Sequence, residues 1–353
     1  MFFLFCILMA VTLWGARPCL KEGELSGYLS PDYTQEVKGF FILLVFFSHF
    51  NSYVTYISGL DMVYKQIVGS FGQCMVTMFL FYSGYGVMES IRGKGGDYIR
   101  GMPRSRILRT WFSFAVAVLL FTGLALVRRK PFSLAQFLLS LAGWESMGNS
   151  NWYIFVILCL YLVSYGVFRL PSIGETEKIL LVTALTGVGI FILQHWQIKP
   201  VHWYDTALCY PLGMLYSRYR SSLEKLLTWS RLLWAGALAG SVLVCRFFFL
   251  RYSDLNSILL NLSFTGMTLL VTMKISSRNP LLRWCGKHLF PLFILQRIPM
   301  ILLTDLGLDH ISIPLCFVCC LAATLLMVRP FERACGRLWE TFQKTCFEKR
   351  MNR

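Results

Sequence analysis

Lys38-Gly39-Phe40-Phe41-Ile42-Leu43-Leu44-Val45-Phe46-Phe47-Ser48-His49 is the stretch on which the fold turns. Its apolar run has no period of two and carries no turn residue after Gly39, and hydrophobic sequence continues to about residue 57. About twenty such residues span the hydrocarbon core of a bilayer, whereas a soluble core helix needs only one apolar face. Comparable runs recur to the end of the 353-residue chain, at roughly 70–91, 108–127, 151–168, 179–195, 203–217, 232–249, 255–273, 288–304 and 311–328. Residues 1–16 form a further run, ended by Arg17-Pro18. It lacks a basic start and an A-x-A cleavage site, which favours a short helix over a signal peptide. The expected fold is therefore all-α, a polytopic transmembrane helix bundle of about ten core spans plus one short N-terminal helix. Its expected divisions are a hydrophobic helix and polar linker over 1–36, a membrane domain over 37–330 and a basic tail over 331–353.

Composition agrees. Hydrophobic residues make up 56% and charged residues only 15%, with a mean hydropathy of +0.57. A soluble enzyme, a disordered chain and a nucleic-acid module are all excluded by that balance. The net charge of +16 sits in short loops between apolar runs, where it sets orientation and has no bearing on nucleic acid. Alternate loops hold 23 Lys and Arg against 6, which places the first set, and the C-terminus, in the cytoplasm. One cluster dissents: Arg128-Arg129-Lys130 falls on the outer side. Of the twelve cysteines, seven lie within the apolar runs and read as small hydrophobic packing groups. Cys316, Cys319 and Cys320 lack a polar second shell, so no metal is expected.

Ionisable groups inside a span are costly and are functional candidates by default. Lys38, His49, Glu89, Arg246 and Arg297 are such groups. Lys38 and His49 are eleven residues apart, so they share one helix face within roughly 20° and stand about 16 Å apart. His49 then reads either as a core histidine bound to a carbonyl or as a buried reaction site, and its polar neighbours Ser48, Asn51 and Ser52 favour the second. Two further constellations stand out. Phe79 to Gly86 closes the second run, and the six cations from Arg92 to Arg109 follow. Arg106 and Arg109 at i, i+3 would suit phosphate if a helix has begun there, or serve only as topology signals. Gly148-Asn149-Ser150-Asn151-Trp152-Tyr153 would anchor a helix at the interface, or offer amides and ring faces to a sugar. His195, His202 and His310 are too scattered for a metal site.

These residues together resemble the acyltransferase-3 family of integral membrane acyltransferases. The likeness runs from about residue 34 to 330. Its first-helix Arg, ten residues, His is here Lys38, ten residues, His49; its aromatic-rich second-helix ending in S-G-Y appears as Phe79 to Tyr85. Its R-x-x-R is Arg106-Ile107-Leu108-Arg109, and its W-Y-I is Trp152-Tyr153-Ile154. Lys at 38 departs from the family's Arg, and Gln296-Arg297-Ile298-Pro299 stands where a His often precedes Pro. The resemblance implies acetyl-CoA as cytoplasmic acyl donor and no metal. It also implies a bacterial inner membrane location and, as acceptor, a hydroxyl of an envelope carbohydrate or a lipid-linked precursor. On that reading His49 is the catalytic base and Lys38 stands at the inner mouth. Arg106, Arg109, Ser83 and Gly84 serve the donor, and Asn151, Trp152 and Tyr153 the acceptor. The competing expectations are a transporter or flippase, with His49 and Arg297 as relay groups, and a catalytically silent bundle.

Overall fold

The computed structural model describes residues 1–19, 21, 24–56 and 59–347. Ile57, at the end of the first expected span, and 348–353, at the end of the expected basic tail, lie outside the described residues, as do three positions of the N-terminal linker. The helices are α1 (Phe2–Leu13), α2 (Pro31–Phe50), α3 (Gly59–Phe71), α4 (Cys74–Met102), α5 (Arg109–Val127), α6 (Leu134–Leu141), α7 (Trp152–Phe168) and α8 (Glu175–Phe191). They continue with α9 (Cys209–Thr228), α10 (Arg231–Phe249), α11 (Asp254–Lys274), α12 (Pro280–Lys287), α13 (Leu289–Leu295), α14 (Arg297–Asp305), α15 (Leu308–Ile311) and α16 (Ile313–Phe347). A two-residue pairing of Arg17–Pro18 with Ile275–Ser276, antiparallel, is the described sheet.

Among the described residues, five helical stretches are long and apolar enough to cross a membrane: 59–127, which joins several helices, then 175–196, 231–249, 254–274 and 313–345. They contain six of the ten expected spans. The other four fall on α2, α7, α9 and the α13–α14 pair. The reason is local. α2 carries Asp32, Glu36 and Lys38 in its first half, α7 has only 17 residues, α9 acquires charge from Arg218 onward, and the last pair is broken at Gln296.

α2 shows how capping moves a boundary that hydropathy misplaces. Ser30 accepts a hydrogen bond from the Tyr33 N–H at 3.3 Å, Pro31 occupies the first turn and Asp32 meets the positive end of the helix. The helix therefore starts seven residues before the expected span. It stops at Phe50, which leaves His49 in the last turn instead of mid-helix. Its early carboxylate, Glu36, is 2% exposed and paired with Arg283 of α12 at 2.9 Å.

Lipid is as apolar as leucine, so helices in a bilayer associate through close packing more than through hydrophobic burial. Two backbone-tight seams supply it here. A β-carbon at Gly39 would stand 1.8 Å from the Leu282 carbonyl oxygen, and one at Gly286 1.7 Å from that of Gln35, which locks α2 to α12. Gly84 and Gly213 do the same for α4 and α9, against the Tyr210 and Phe81 carbonyls at 1.9 and 2.1 Å. The aromatic side of α2 packs on α16. Phe46, Phe47 and Phe50 surround Phe317 with ring centroids at 5.3, 4.4 and 5.2 Å, contacts worth about 0.5–1.5 kcal/mol each beyond area burial. α1 lies alongside, with Phe5 against Phe47 and Tyr64 at 5.9 and 5.8 Å. α16 runs through Pro330 to Phe347, so most of the segment expected as a tail is helical, and Trp339 contacts Phe112 at 5.4 Å.

Candidate functional site

The face of α2 beside Phe46 and Phe50 presents Val45, Ser48 and His49, at i, i+3 and i+4, to a cavity of about 390 Å³. Its walls come from four other places in the chain. Gln73 precedes α4, Asn149 to Trp152 lead into α7, His202 lies in the single 3₁₀ turn before α9, and Phe293 and Arg297 flank the break at Gln296. His49 sits 6.1 Å from the Phe293 ring, and its Nδ1 is buried with no hydrogen-bond partner among the described residues. That excludes the core histidine bonded to a carbonyl through this nitrogen and leaves a ring atom free to meet a ligand. Arg297 is a charge acting on His49 across the same cavity, and its own buried Nε is also unpartnered among the described residues.

The loop into α7 is built by its own amides. Asn149 Oδ1 accepts from the Met147 N–H at 3.1 Å, and the Asn151 side chain donates to the Gly143 carbonyl at 2.9 Å. The Asn149 amide nitrogen and the Ser150 hydroxyl remain buried, with no hydrogen-bond partner among the described residues. Asn151 and Trp152 line the cavity, and Trp152 meets His202 edge-on at 5.8 Å. Burial pushes the His202 imidazole below its usual pKa, which favours the neutral ring. Tyr153 turns elsewhere: its ring contacts Phe79 and Phe293 at 6.3 and 5.4 Å, and its hydroxyl lies against Ser83.

That turn connects the two ends of α2. Ser83 is shared by the Tyr153 and Tyr161 hydroxyls, Tyr161 lies beside Arg106, and Arg106 is the charge next to Lys38. Arg106 Nε–H also donates to Tyr98 at 3.2 Å. Polar groups therefore run from Lys38 and Arg106 past Tyr161 and Ser83 to Tyr153, a ladder that stops at the apolar Phe293 ring beside His49. Arg109 is not part of it. A π-helical turn over Pro103–Leu108 replaces regular helix, and Arg109 opens α5 as an exposed residue. The two cations thus differ in surroundings despite their i, i+3 spacing. Gly84 is buried in the α4–α9 seam, where it lets the helix carrying Ser83 approach Tyr210.

Sequence reasoning set His202 aside, did not single out Gln73 and left Arg297 without a place. His202 is 153 positions from His49 and reaches it only because the start of α9 returns to the same end of the bundle. Gln73 carried a faint signal, a lone amide just ahead of an apolar run. His195 stacks on Phe191 and His310 is exposed, so neither joins the cavity. Arg246 is exposed on α10, and Glu89 accepts a hydrogen bond from Ser217 at 2.5 Å. His288 pairs through Nδ1 with Glu332 of α16 at 2.6 Å.

Comparison with curated proteins and with solved structures finds no match. The acyltransferase-3 family model, described as an acyltransferase domain, matches residues 37–328, which include His49, the Ser83 ladder, Arg106 and Arg297. With that match over most of its length, and with apolar helices of membrane-spanning length, the chain belongs to the acyltransferase-3 family and is a membrane acyltransferase.

Proposed function

We propose that the protein moves an acyl group, acetyl in the simplest case, from cytoplasmic acyl-CoA to a hydroxyl of an envelope glycan or its lipid-linked precursor. The observation that carries this reading is the buried Nδ1 of His49, without a hydrogen-bond partner among the described residues, in a polar cavity one aromatic ring away from a hydroxyl ladder that leads to a second, cationic end. Lys38 and Arg106 form that end, which the loop-charge asymmetry assigns to the cytoplasm. Both cations suit the phosphates of CoA, with Arg106 offering a planar fork. The acyl arm then extends along the Tyr161–Ser83–Tyr153 side toward His49. Arg109, exposed beside them, has a smaller share, and Gly84 positions Ser83 without touching the donor.

The acceptor reaches His49 from the opposite side, past Asn151 and Trp152. His49 takes the proton of the acceptor hydroxyl as its oxygen attacks the thioester carbonyl. The tetrahedral centre collapses, the C–S bond breaks, and the CoA thiolate takes up the proton. The bacterial inner membrane fits such an acceptor, with the C-terminus in the cytoplasm. The test is mass spectrometry of envelope glycans from cells with and without the gene, paired with transfer from labelled acetyl-CoA by the purified protein in liposomes. Gene-dependent acyl esters, lost in His49→Ala, are the expected result. Unchanged glycans in the deletion would defeat the proposal.

A further inference from the structure

The cluster Arg128-Arg129-Lys130 breaks the charge asymmetry that orients the rest of the chain, and the structure gives it surroundings. α5 ends at Val127 with Arg129 in the left-handed region, φ 51°, and with Arg128, Arg129 and Lys130 N–H groups all bonded back to carbonyls of the last helical turn. Glycine usually takes such a position, so an arginine there is held by its context. The turn delivers Arg128 and Lys130 to a cavity of about 400 Å³, lined also by Gln136, Ser146, Asp305 and Arg297. Ser146 and Arg297 are also walls of the His49 cavity, so the two spaces adjoin.

The charge in this vestibule is unbalanced. Asp305 is its one carboxylate among the described residues, and Arg128 already engages both of that group's oxygens, at 2.5 and 2.7 Å. Arg297, half-buried, has no hydrogen bond at Nε and no carboxylate in ion-pair range among the described residues. A guanidinium left so within a bundle is costly unless an anion completes it. We propose that the vestibule binds an oxyanion carried by the acceptor, a carboxylate or a phosphate, so that a hydroxyl on the same acceptor reaches His49. Resting on the acyl-transfer reading, this narrows the acceptor to an acidic sugar or a sugar bearing phosphate. Arg297 stands between the two spaces, with Lys130 and Arg128 at the vestibule and Gln136 and Ser146 offering neutral hydrogen bonds.

Titration calorimetry of the full-length chain in nanodiscs tests it with three probes: methyl glucuronide, glucose 6-phosphate and methyl glucoside. At least one anionic probe should bind roughly tenfold more tightly than the neutral glycoside, as a charge-assisted hydrogen bond predicts, and lose that advantage as salt rises. A preference for the glucuronide assigns the carboxylate, and a preference for the sugar phosphate assigns the phosphate. Lys130→Gln, which alters an exposed side chain, and Arg297→Gln should each weaken the anionic probe severalfold or more, with the neutral one unaffected. Arg251→Gln, on another loop, should change nothing. Equal binding of charged and neutral probes would overturn the proposal. So would an anionic advantage that survives Lys130→Gln and Arg297→Gln, or that vanishes only in Arg106→Gln, which would place the anion at the donor end. Because binding is read without turnover, an intact anion site with no acyl transfer would sink the catalytic reading and leave this one standing.

Discussion

The α2–α12 seam and the His49 cavity stand at opposite ends of one helix and solve opposite problems. At the seam, glycine brings two backbones within van der Waals range and both nearby carboxylates meet a cation: Glu36 and Asp32 pair with Arg283, at 2.9 and 3.1 Å, while one Glu36 oxygen and the Arg283 Nε stay buried without a hydrogen-bond partner among the described residues. At the cavity, nitrogen atoms of His49, Asn149 and Arg297 are buried and unmatched. Unsatisfied groups of this kind cost about 1–3 kcal/mol each, and a mobile wall would collapse onto them. The lesson is that rigidity is concentrated in the seams so that the cavity can hold its polar atoms for a ligand.

The strongest way to break that contrast is to remove the base. His49→Ala should lower transfer of labelled acetyl in liposomes by about 10²–10⁴-fold, the range for a lost general base, with insertion intact. Activity within threefold of wild type would end the role given to His49. Next in size is damage to the seam. Gly286→Ala drives a methyl into the Gln35 carbonyl, and with no flexible side chain to yield it should cost about 1–3 kcal/mol in thermal unfolding in detergent. Gly240→Ala, whose new methyl meets nothing within 4 Å, is the matched control and should stay within about 0.5 kcal/mol of wild type. Equal effects would mean the seam is not where stability resides.

A smaller effect sharpens the donor end. Arg106→Gln should weaken CoA binding in calorimetry roughly tenfold to a hundredfold, the equivalent of about 1.5–3 kcal/mol. The exposed Arg109→Gln should weaken it less, and Lys38→Arg should be tolerated. Identical losses at 106 and 109 would show that the π-helical turn does not separate their roles. The mildest test leaves activity alone. In a cysteine-free background, Lys94→Cys should resist an impermeant maleimide in intact cells and Leu306→Cys should react; the reverse pattern would invert the assignment of donor and acceptor sides.

Much of this was open to sequence reasoning because the signals are local. His49 and Lys38 share a face by helical geometry, and an apolar run reports its solvent whatever its partners are. The Ser30-Pro31-Asp32 cap was equally local, but hydropathy outweighs it, and the expected start of α2 slipped by seven residues. Arg106 and Arg109 could not be separated, since a π-helical turn at Pro103–Leu108 alters the facing of residues that regular helix would align.

By itself, then, the sequence determined the solvent of this chain, its helical class, the order of its motifs and the pairing of His49 with Lys38 on one face. Each follows from the chemistry of neighbouring residues and the 3.6-residue period. Only the tertiary structure decided that His202, Gln73 and Arg297 meet His49, that Tyr153 turns toward Ser83, and that Arg128 and Lys130 open beside the same cavity. Those meetings depend on which backbones can approach closely, and that is set by glycine contacts between helices far apart in the chain, such as Gly39 with Leu282 and Gly213 with Phe81. No periodicity records such a contact, because each glycine reads alike until its partner is in place.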